Sequence, residues 1–188
     1  MGALRSFFDG RTASIFIGGN PLKNRSSYLA HAALIGAMYA ALTHLQNILI
    51  PGSATWAIQF RASEALCVLA FFTPAAIPGL SAGCFLFNLT YGAALPLDAL
   101  VGTLATALAC GGMYLTRKLP VVGLCLPALF NAFLVGWELS VYIGGGFWLN
   151  ALYVAIGELT VLFTLGLMLY TAMKKRGLSH RLFGQTTD

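Results

Sequence analysis

Long apolar stretches, separated by short breaks rich in Pro, Gly or charged residues, occupy most of the chain. Apolar residues fill all faces of these stretches instead of alternating with polar residues, a pattern that predicts membrane helices rather than the strands of a β-barrel. The breaks define six candidate spans: Tyr28–Ile50, Arg61–Phe72, Ala75–Thr90, Leu97–Leu115, Val122–Ile143 and Phe147–Met173. The second span has only about 12 residues, too few to cross a hydrocarbon core of about 30 Å without tilt or shielding by protein.

Composition supports the membrane interpretation. Hydrophobic residues make up 58% of the 188 residues and charged residues 9%, whereas a soluble domain has about 25% charged residues. The sequence therefore predicts an all-α integral membrane protein with several spans, and the net charge of +5 is not the footprint of a nucleic-acid-binding protein.

The basic residues predict an orientation. With six spans, ten of the eleven Lys and Arg residues fall on one side of the membrane, and Arg61 alone falls on the other. The positive-inside rule then places both termini in the cytoplasm. Residues 1–27 are predicted to form a cytoplasmic tail, residues 28–173 the transmembrane domain, and residues 174–188 a basic cytoplasmic tail.

Polar side chains concentrate towards the opposite, outward side. Charge at membrane depth is costly and usually paired, so Arg61 and Glu64, three residues apart at the head of the second span, form a hypothesis about function. On the fifth span Asn131 and Glu138 share one helical face. The residues predicted to line or flank an outward pocket are Trp56, Gln59, Arg61, Glu64, Asp98, Asn131, Glu138, Tyr142, Trp148, Asn150 and Glu158.

Such a set suits a small polar ligand that is planar or cationic, since carboxylates and amides bind N–H groups and aromatic rings stack on a planar face. Two structural interpretations stay open. The polar residues also serve as hydrogen-bonding contacts between membrane helices, and Trp and Tyr collect at membrane interfaces without any ligand.

The first span carries two rows of small residues at intervals of four, a pattern that allows close helix approach. It predicts either packing within the bundle or a docking surface for another protein. The rows are Ala32, Gly36 and Ala40, and Ala33, Ala37 and Ala41.

Motifs for phosphate binding and metal binding are absent from the sequence. It has no GxxxxGK[ST] or HExxH, and its four cysteines form no CxxC pair. The pattern GxSxG occurs at Gly79–Gly83, inside the third apolar span. We therefore predict no enzyme activity, no cofactor and no metal site.

Four blocks in the chain, IQFRASEAL, FFTPAAIPGLSAGC, NAFLVGWEL and FWLNALYVAIGE, resemble the QueT family, the substrate-binding S components of energy-coupling factor (ECF) transporters. The resemblance covers about residues 28–172. It implies a six-helix bundle with an outward pocket and a docking surface of small residues on the first helix. The implied partners are a transmembrane coupling subunit with two ATPases, and the implied ligand is a queuosine precursor: queuine, 7-aminomethyl- or 7-cyano-7-deazaguanine, or queuosine itself.

Under this resemblance Glu138 or Glu158 would accept the N1–H and exocyclic amine of a deazaguanine. Asn131, Asn88 or Asn150 would bind its carbonyl, and Trp148 or Trp56 would stack on its face. Glu64 or Asp98 would bind a charged arm. The alternatives are a stand-alone proton- or cation-coupled transporter with Glu158 as relay, a membrane enzyme, and a scaffold subunit.

Overall fold

A computed structural model of the chain describes residues 21–53, 58–91 and 97–175. Secondary structure in these ranges is entirely helical, with no strand among the described residues. The six helical elements are α1 (Pro21–Leu49), a 3-10 helix (Ala62–Phe71), α2 (Ala76–Thr90), α3 (Asp98–Leu115), α4 (Pro120–Tyr142) and α5 (Phe147–Lys175). Within α5 one turn, Leu162–Gly166, is π-helical.

Helix boundaries follow the predicted spans closely, with one exception. α1 begins at Pro21, well before the predicted start at Tyr28, so the helix extends into the polar segment assigned to the tail. The other boundaries agree within two residues, because Pro, Gly and charged residues mark the ends of the apolar stretches.

Four helices are long and apolar enough to cross a bilayer: Arg25–Leu49 within α1, together with α3, α4 and α5. Their outer faces expose large apolar side chains such as Leu34, Leu100 and Val141, as expected of surfaces that contact lipid. The chain is a helical multi-pass membrane protein. The 3-10 helix and α2, with 10 and 15 residues, are shorter apolar helices.

The 3-10 helix lies at the centre of the bundle and contacts every other helix. Its residues Ser63 to Phe71 are all buried. The sequence predicted an ordinary span here, but the backbone bonds run from residue i+3 to residue i, as in Glu64 N to Arg61 O at 2.9 Å. Side chains three apart are therefore nearly eclipsed, and Glu64 and Cys67 lie in one line.

Sequential helices pack side by side around this centre, with α1 against α2, α2 against α3, α3 against α4, and α4 against α5. The tightest approach is between α1 and α2. A Cβ added to Gly36 would lie 2.6 Å from the carbonyl oxygen of Gly79, so neither glycine has room for a side chain.

The two rows of small residues on α1 differ in whether they face α2. Ala32 and Gly36 are buried, and Gly36 contacts α2. The second row points away from the bundle and is exposed; it consists of Ala33, Ala37 and Ala41.

The start of α1, the end of the 3-10 helix and the last part of α5 meet at one end of the bundle. The hydroxyl of Tyr28, near the start of α1, lies 3.5 Å from the carbonyl oxygen of Pro74, which follows the 3-10 helix. Phe71 and Phe72 pack on Tyr170 in the last part of α5, with ring centroids 5.5 and 5.6 Å apart. The polar cluster described below lies away from these aromatic contacts.

Candidate functional site

Glu64 is the centre of a buried hydrogen-bond network that joins the 3-10 helix to α1. The hydroxyl of Tyr39 donates to Glu64 Oε1, and the thiol of Cys67 lies 3.1 Å from Glu64 Oε2. Arg61 Nη1 lies 3.5 Å from the Tyr39 hydroxyl, and Arg61 interacts electrostatically with Glu64. Because every member of this group is buried, the paired charge offsets part of the desolvation cost of each ion.

The inner face of α1 contributes polar residues that the sequence analysis missed. Thr43 lies 2.6 Å from the hydroxyl oxygen of Ser63, and Asn47 donates from Nδ2 to the Thr43 carbonyl at 3.0 Å. Tyr39, Thr43 and Asn47 follow one another at intervals of four, the spacing of one helical face. That polar stripe in an apolar span was the signal available in the sequence.

Glu158 and Asn131 join α5 to α4. Asn131 Nδ2 donates to Glu158 Oε1 at 2.9 Å, and both side chains are buried. The second carboxylate oxygen, Oε2, has no hydrogen-bond partner. Glu158 also interacts electrostatically with Glu64 and Arg61, so the α4–α5 pair belongs to the same charged cluster.

Glu138 is fully buried, with a relative exposure of 0%. No amide, hydroxyl or backbone N–H group donates to its carboxyl oxygens. The carboxyl group of Asp98, at the start of α3, lies within reach of a side-chain hydrogen bond to Glu138, and Arg61 also interacts with Glu138 electrostatically. A buried carboxyl group without an N–H donor is costly, by about 1–3 kcal/mol, so this position needs an explanation beyond packing.

Asn88 of α2 completes the cluster. Its Nδ2 donates to the backbone carbonyl of Asp98 at 2.8 Å, while its Oδ1 has no partner. Next to it the Arg61 guanidinium lies over the Phe87 ring, 5.5 Å from the centroid.

Several predicted site residues lie elsewhere. Tyr142 and Trp148 are 43% and 76% exposed, so their side chains are on the surface. Asn150 is buried and donates to the Gly144 carbonyl at 2.7 Å, which fixes the turn between α4 and α5. Gln59 is buried where its backbone packs directly on Gly157. Trp56 lies outside the described residues.

The cluster therefore gathers seven of the predicted residues from five of the six helical elements or their ends: Arg61, Glu64, Asn88, Asp98, Asn131, Glu138 and Glu158. Its oxygen atoms without an N–H donor are suited to bind N–H groups. Across residues 21–53, 58–91 and 97–175 no three His, Cys, Asp or Glu side chains are arranged to hold a metal ion.

Comparison with known proteins identifies a family. A search of curated proteins and a search of solved structures each found no significant similarity. A family model described as "QueT transporter" matches residues 29–175, a range that contains the whole polar cluster and nearly all of the helical bundle. By this match the chain belongs to the QueT transporter family.

Proposed function

We propose that the chain is the substrate-capture subunit of an ATP-driven ECF importer and binds a queuosine precursor of the 7-deazaguanine type. It catalyses no covalent chemistry in this role. The observation that carries the ligand assignment is Glu138, a fully buried carboxylate whose two oxygens accept from no N–H group. Membership of a transporter family supports the transport role.

The chemistry of a deazaguanine suits this carboxylate. Its N1–H and exocyclic amine point in the same direction, and one carboxylate accepts both in a bidentate arrangement. No N–H donor occupies either oxygen of Glu138, which lies beside the carboxyl group of Asp98, whereas one oxygen of Glu158 already accepts from Asn131. Glu138 is therefore the better candidate for the base edge.

Arg61 and Glu64 have a positioning role in this proposal. Glu64 is bound by Tyr39 and Cys67, so its hydrogen bonds hold the 3-10 helix on α1. Arg61 interacts electrostatically with Glu64, Glu138 and Glu158. Its positive charge therefore offsets part of the negative charge of these acids.

The exposed row Ala33, Ala37 and Ala41 is the proposed docking surface for the coupling subunit. Small side chains let a partner helix approach closely, and this row is exposed, whereas Gly36 packs against α2. The six helical elements are proposed to cross the membrane in turn, the 3-10 helix shielded from lipid by the others. The basic residues at the ends of the chain support cytoplasmic termini in a prokaryotic plasma membrane.

Titration of the purified chain in nanodiscs with queuine and the 7-substituted deazaguanines tests the ligand assignment, with riboflavin as a control ligand. We expect saturable binding of at least one deazaguanine, and a loss of about tenfold or more in affinity for Glu138→Gln, because a charged acceptor is replaced. Undiminished binding by a folded Glu138→Gln variant would contradict the assignment.

A second candidate function is a proton- or cation-coupled transporter that works alone. The unpartnered Oε2 of buried Glu158 favours it, because carboxylates at membrane depth act as proton relays in transporters. Uptake by cells that lack the coupling and ATPase subunits separates the two. Persistent uptake that collapses with an uncoupler supports the stand-alone transporter, and loss of uptake supports the ATP-driven complex.

A further inference from the structure

We infer that the end of the bundle where α1 begins and where α3 and α5 end binds anionic phospholipids, through basic side chains that lie beside exposed apolar ones. This surface is remote from the polar cluster, so the inference does not depend on the ligand proposed for that cluster. Its basis is the distribution of charge over the described residues and the chemistry of the neighbouring side chains.

Every Lys or Arg side chain that is exposed in the described residues belongs to this end. These side chains come from the first turns of α1, from the turn after α3 and from the end of α5. They are Arg25, Arg117, Lys118, Lys174 and Lys175.

Contacts between tyrosine and arginine bring the first two of these segments together. Tyr28, one turn after Arg25, interacts electrostatically with Tyr114 in the last turn of α3. The Arg117 guanidinium lies over the Tyr114 ring, 5.0 Å from its centroid. The last part of α5 reaches the same end through the packing of Tyr170 on the end of the 3-10 helix.

The acidic residues of the described ranges lie far from this end. Asp98 is the first residue of α3 and Arg117 follows its last turn, so about 27 Å of helix separates them at 1.5 Å per residue. Glu158 and Lys174 are separated by about 24 Å along α5 on the same rise. No described acid therefore offsets the positive charge of this end, and the charge is available to an anionic partner.

The apolar residues beside the charges indicate what kind of anion this is. Leu115 and Leu119, on either side of Arg117 and Lys118, are 77% and 61% exposed. A free phosphate ion or an acidic face of a soluble protein would pair with the charges and leave these leucines in water. A phospholipid carries acyl chains directly beside its phosphate, so it covers both kinds of side chain.

The side-chain types also suit a lipid phosphate. An arginine guanidinium binds phosphate oxygens in a bidentate arrangement, and the cation–π contact with Tyr114 orients the guanidinium of Arg117. Tyrosine is itself typical of the level of the headgroups. Lysine at a helix end extends its ammonium group to that level while its methylene groups remain among apolar neighbours.

The test titrates the purified full chain, in a neutral detergent, with phosphatidylglycerol or phosphatidylcholine, and counts bound lipids by native mass spectrometry. We expect phosphatidylglycerol to bind at least about tenfold more tightly than phosphatidylcholine, because each basic residue near a headgroup contributes about fivefold for an anionic lipid. The preference should fall as salt is added, since salt screens exposed charges.

Variants assign the preference to this surface. Joint replacement by Arg117→Gln and Lys118→Gln should weaken phosphatidylglycerol about fivefold for each charge removed and leave phosphatidylcholine unchanged. Lys174→Gln with Lys175→Gln should act in the same direction. The matched control is the charge-preserving pair Arg117→Lys and Lys118→Arg, which should keep most of the preference. All these positions are exposed, so the variants should fold.

Equal binding of the two lipids by folded wild type would overturn the inference, and so would an unchanged preference in both neutralised variants. Soluble glycerol phosphate that competes as well as phosphatidylglycerol would show a site for free phosphate and overturn the assignment to lipid. The deazaguanine titration described above is independent of each of these results, so failure of the lipid inference and failure of the proposed function are distinguishable.

Discussion

At the scale of single residues, the buried polar cluster divides into carboxyl oxygens that accept from a hydroxyl, thiol or amide donor and oxygens that do not. Glu64 belongs to the first class, since Tyr39 and Cys67 bind its carboxylate. Glu138 and one oxygen of Glu158 belong to the second. Residues of the first class stabilise the fold and those of the second are suited to bind a ligand, so substitutions in the two classes should have different effects.

Tyr39→Phe tests the structural class. Removal of the hydroxyl leaves Glu64 Oε1 without its donor in a buried site, and we expect the free energy of unfolding to fall by about 1–3 kcal/mol. Thermal unfolding in detergent measures the change. Tyr142→Phe is the matched control, because Tyr142 is 43% exposed and surface substitutions usually change stability by no more than about 0.5 kcal/mol. Equal unfolding temperatures for the two variants would contradict a stabilising role for the Tyr39 hydroxyl.

At the scale of secondary-structure elements, the close approach of α1 and α2 depends on glycine. The atom nearest to a Cβ on Gly36 is a backbone oxygen of α2, which cannot rotate away as a side chain could. The two helices therefore keep their separation only while both positions lack side chains.

Gly36→Ala should destabilise the protein by about 1–3 kcal/mol, the usual cost of overpacking. Gly111→Ala on α3 is the control, since a Cβ there meets nothing within 4 Å and alanine favours a helix by about 0.5–1 kcal/mol over glycine. The measurement is again thermal unfolding. A Gly36→Ala variant as stable as Gly111→Ala would mean that α1 and α2 separate without cost.

Most helix boundaries were predictable from the sequence, because Pro51, Pro74, Pro96 and the glycines at 144–146 interrupt the apolar stretches. The 3-10 geometry of Ala62–Phe71 was not. In a segment that is apolar on every face, periods of 3.0 and 3.6 residues leave the same pattern.

The burial of the charged residues in one cluster was predictable, and the position of the aromatic residues was less so. Arg61, Glu64, Glu138 and Glu158 had to be buried together, since isolated charges do not face lipid. The position of Trp148 was not constrained in this way, because a Trp suits the membrane interface as well as a ligand site. The structure places its side chain on the surface, with 76% exposure.

At the scale of the whole molecule, α1 presents different faces to its two sides. Tyr39 and Thr43 are buried against the 3-10 helix, while Ala37 and Ala41 are exposed. The proposed site and the proposed docking surface therefore lie on opposite faces of one helix.

Ala37→Leu should weaken assembly with the coupling and ATPase subunits and leave the affinity for the deazaguanine unchanged, because the added side chain blocks close helix approach and does not reach the cluster. Copurification of the subunits measures assembly, and titration measures binding. Ala82→Leu on α2 is the control, at another exposed small residue. If both variants assemble as wild type does, the exposed row on α1 is not the docking surface.

The 3-10 geometry of the central helix also fixes a length. Ten residues rise about 20 Å as a 3-10 helix and about 15 Å as an α-helix. Between Glu64 and Phe71, seven residues apart, the difference is about 3.5 Å. It allows one short segment to place Glu64 in the charged cluster and Phe71 against Tyr170 in the last part of α5. A change of this segment to α-helix would shorten it and break contact at one end, so the segment acts as a spacer that ties the position of the buried charges to the position of α5.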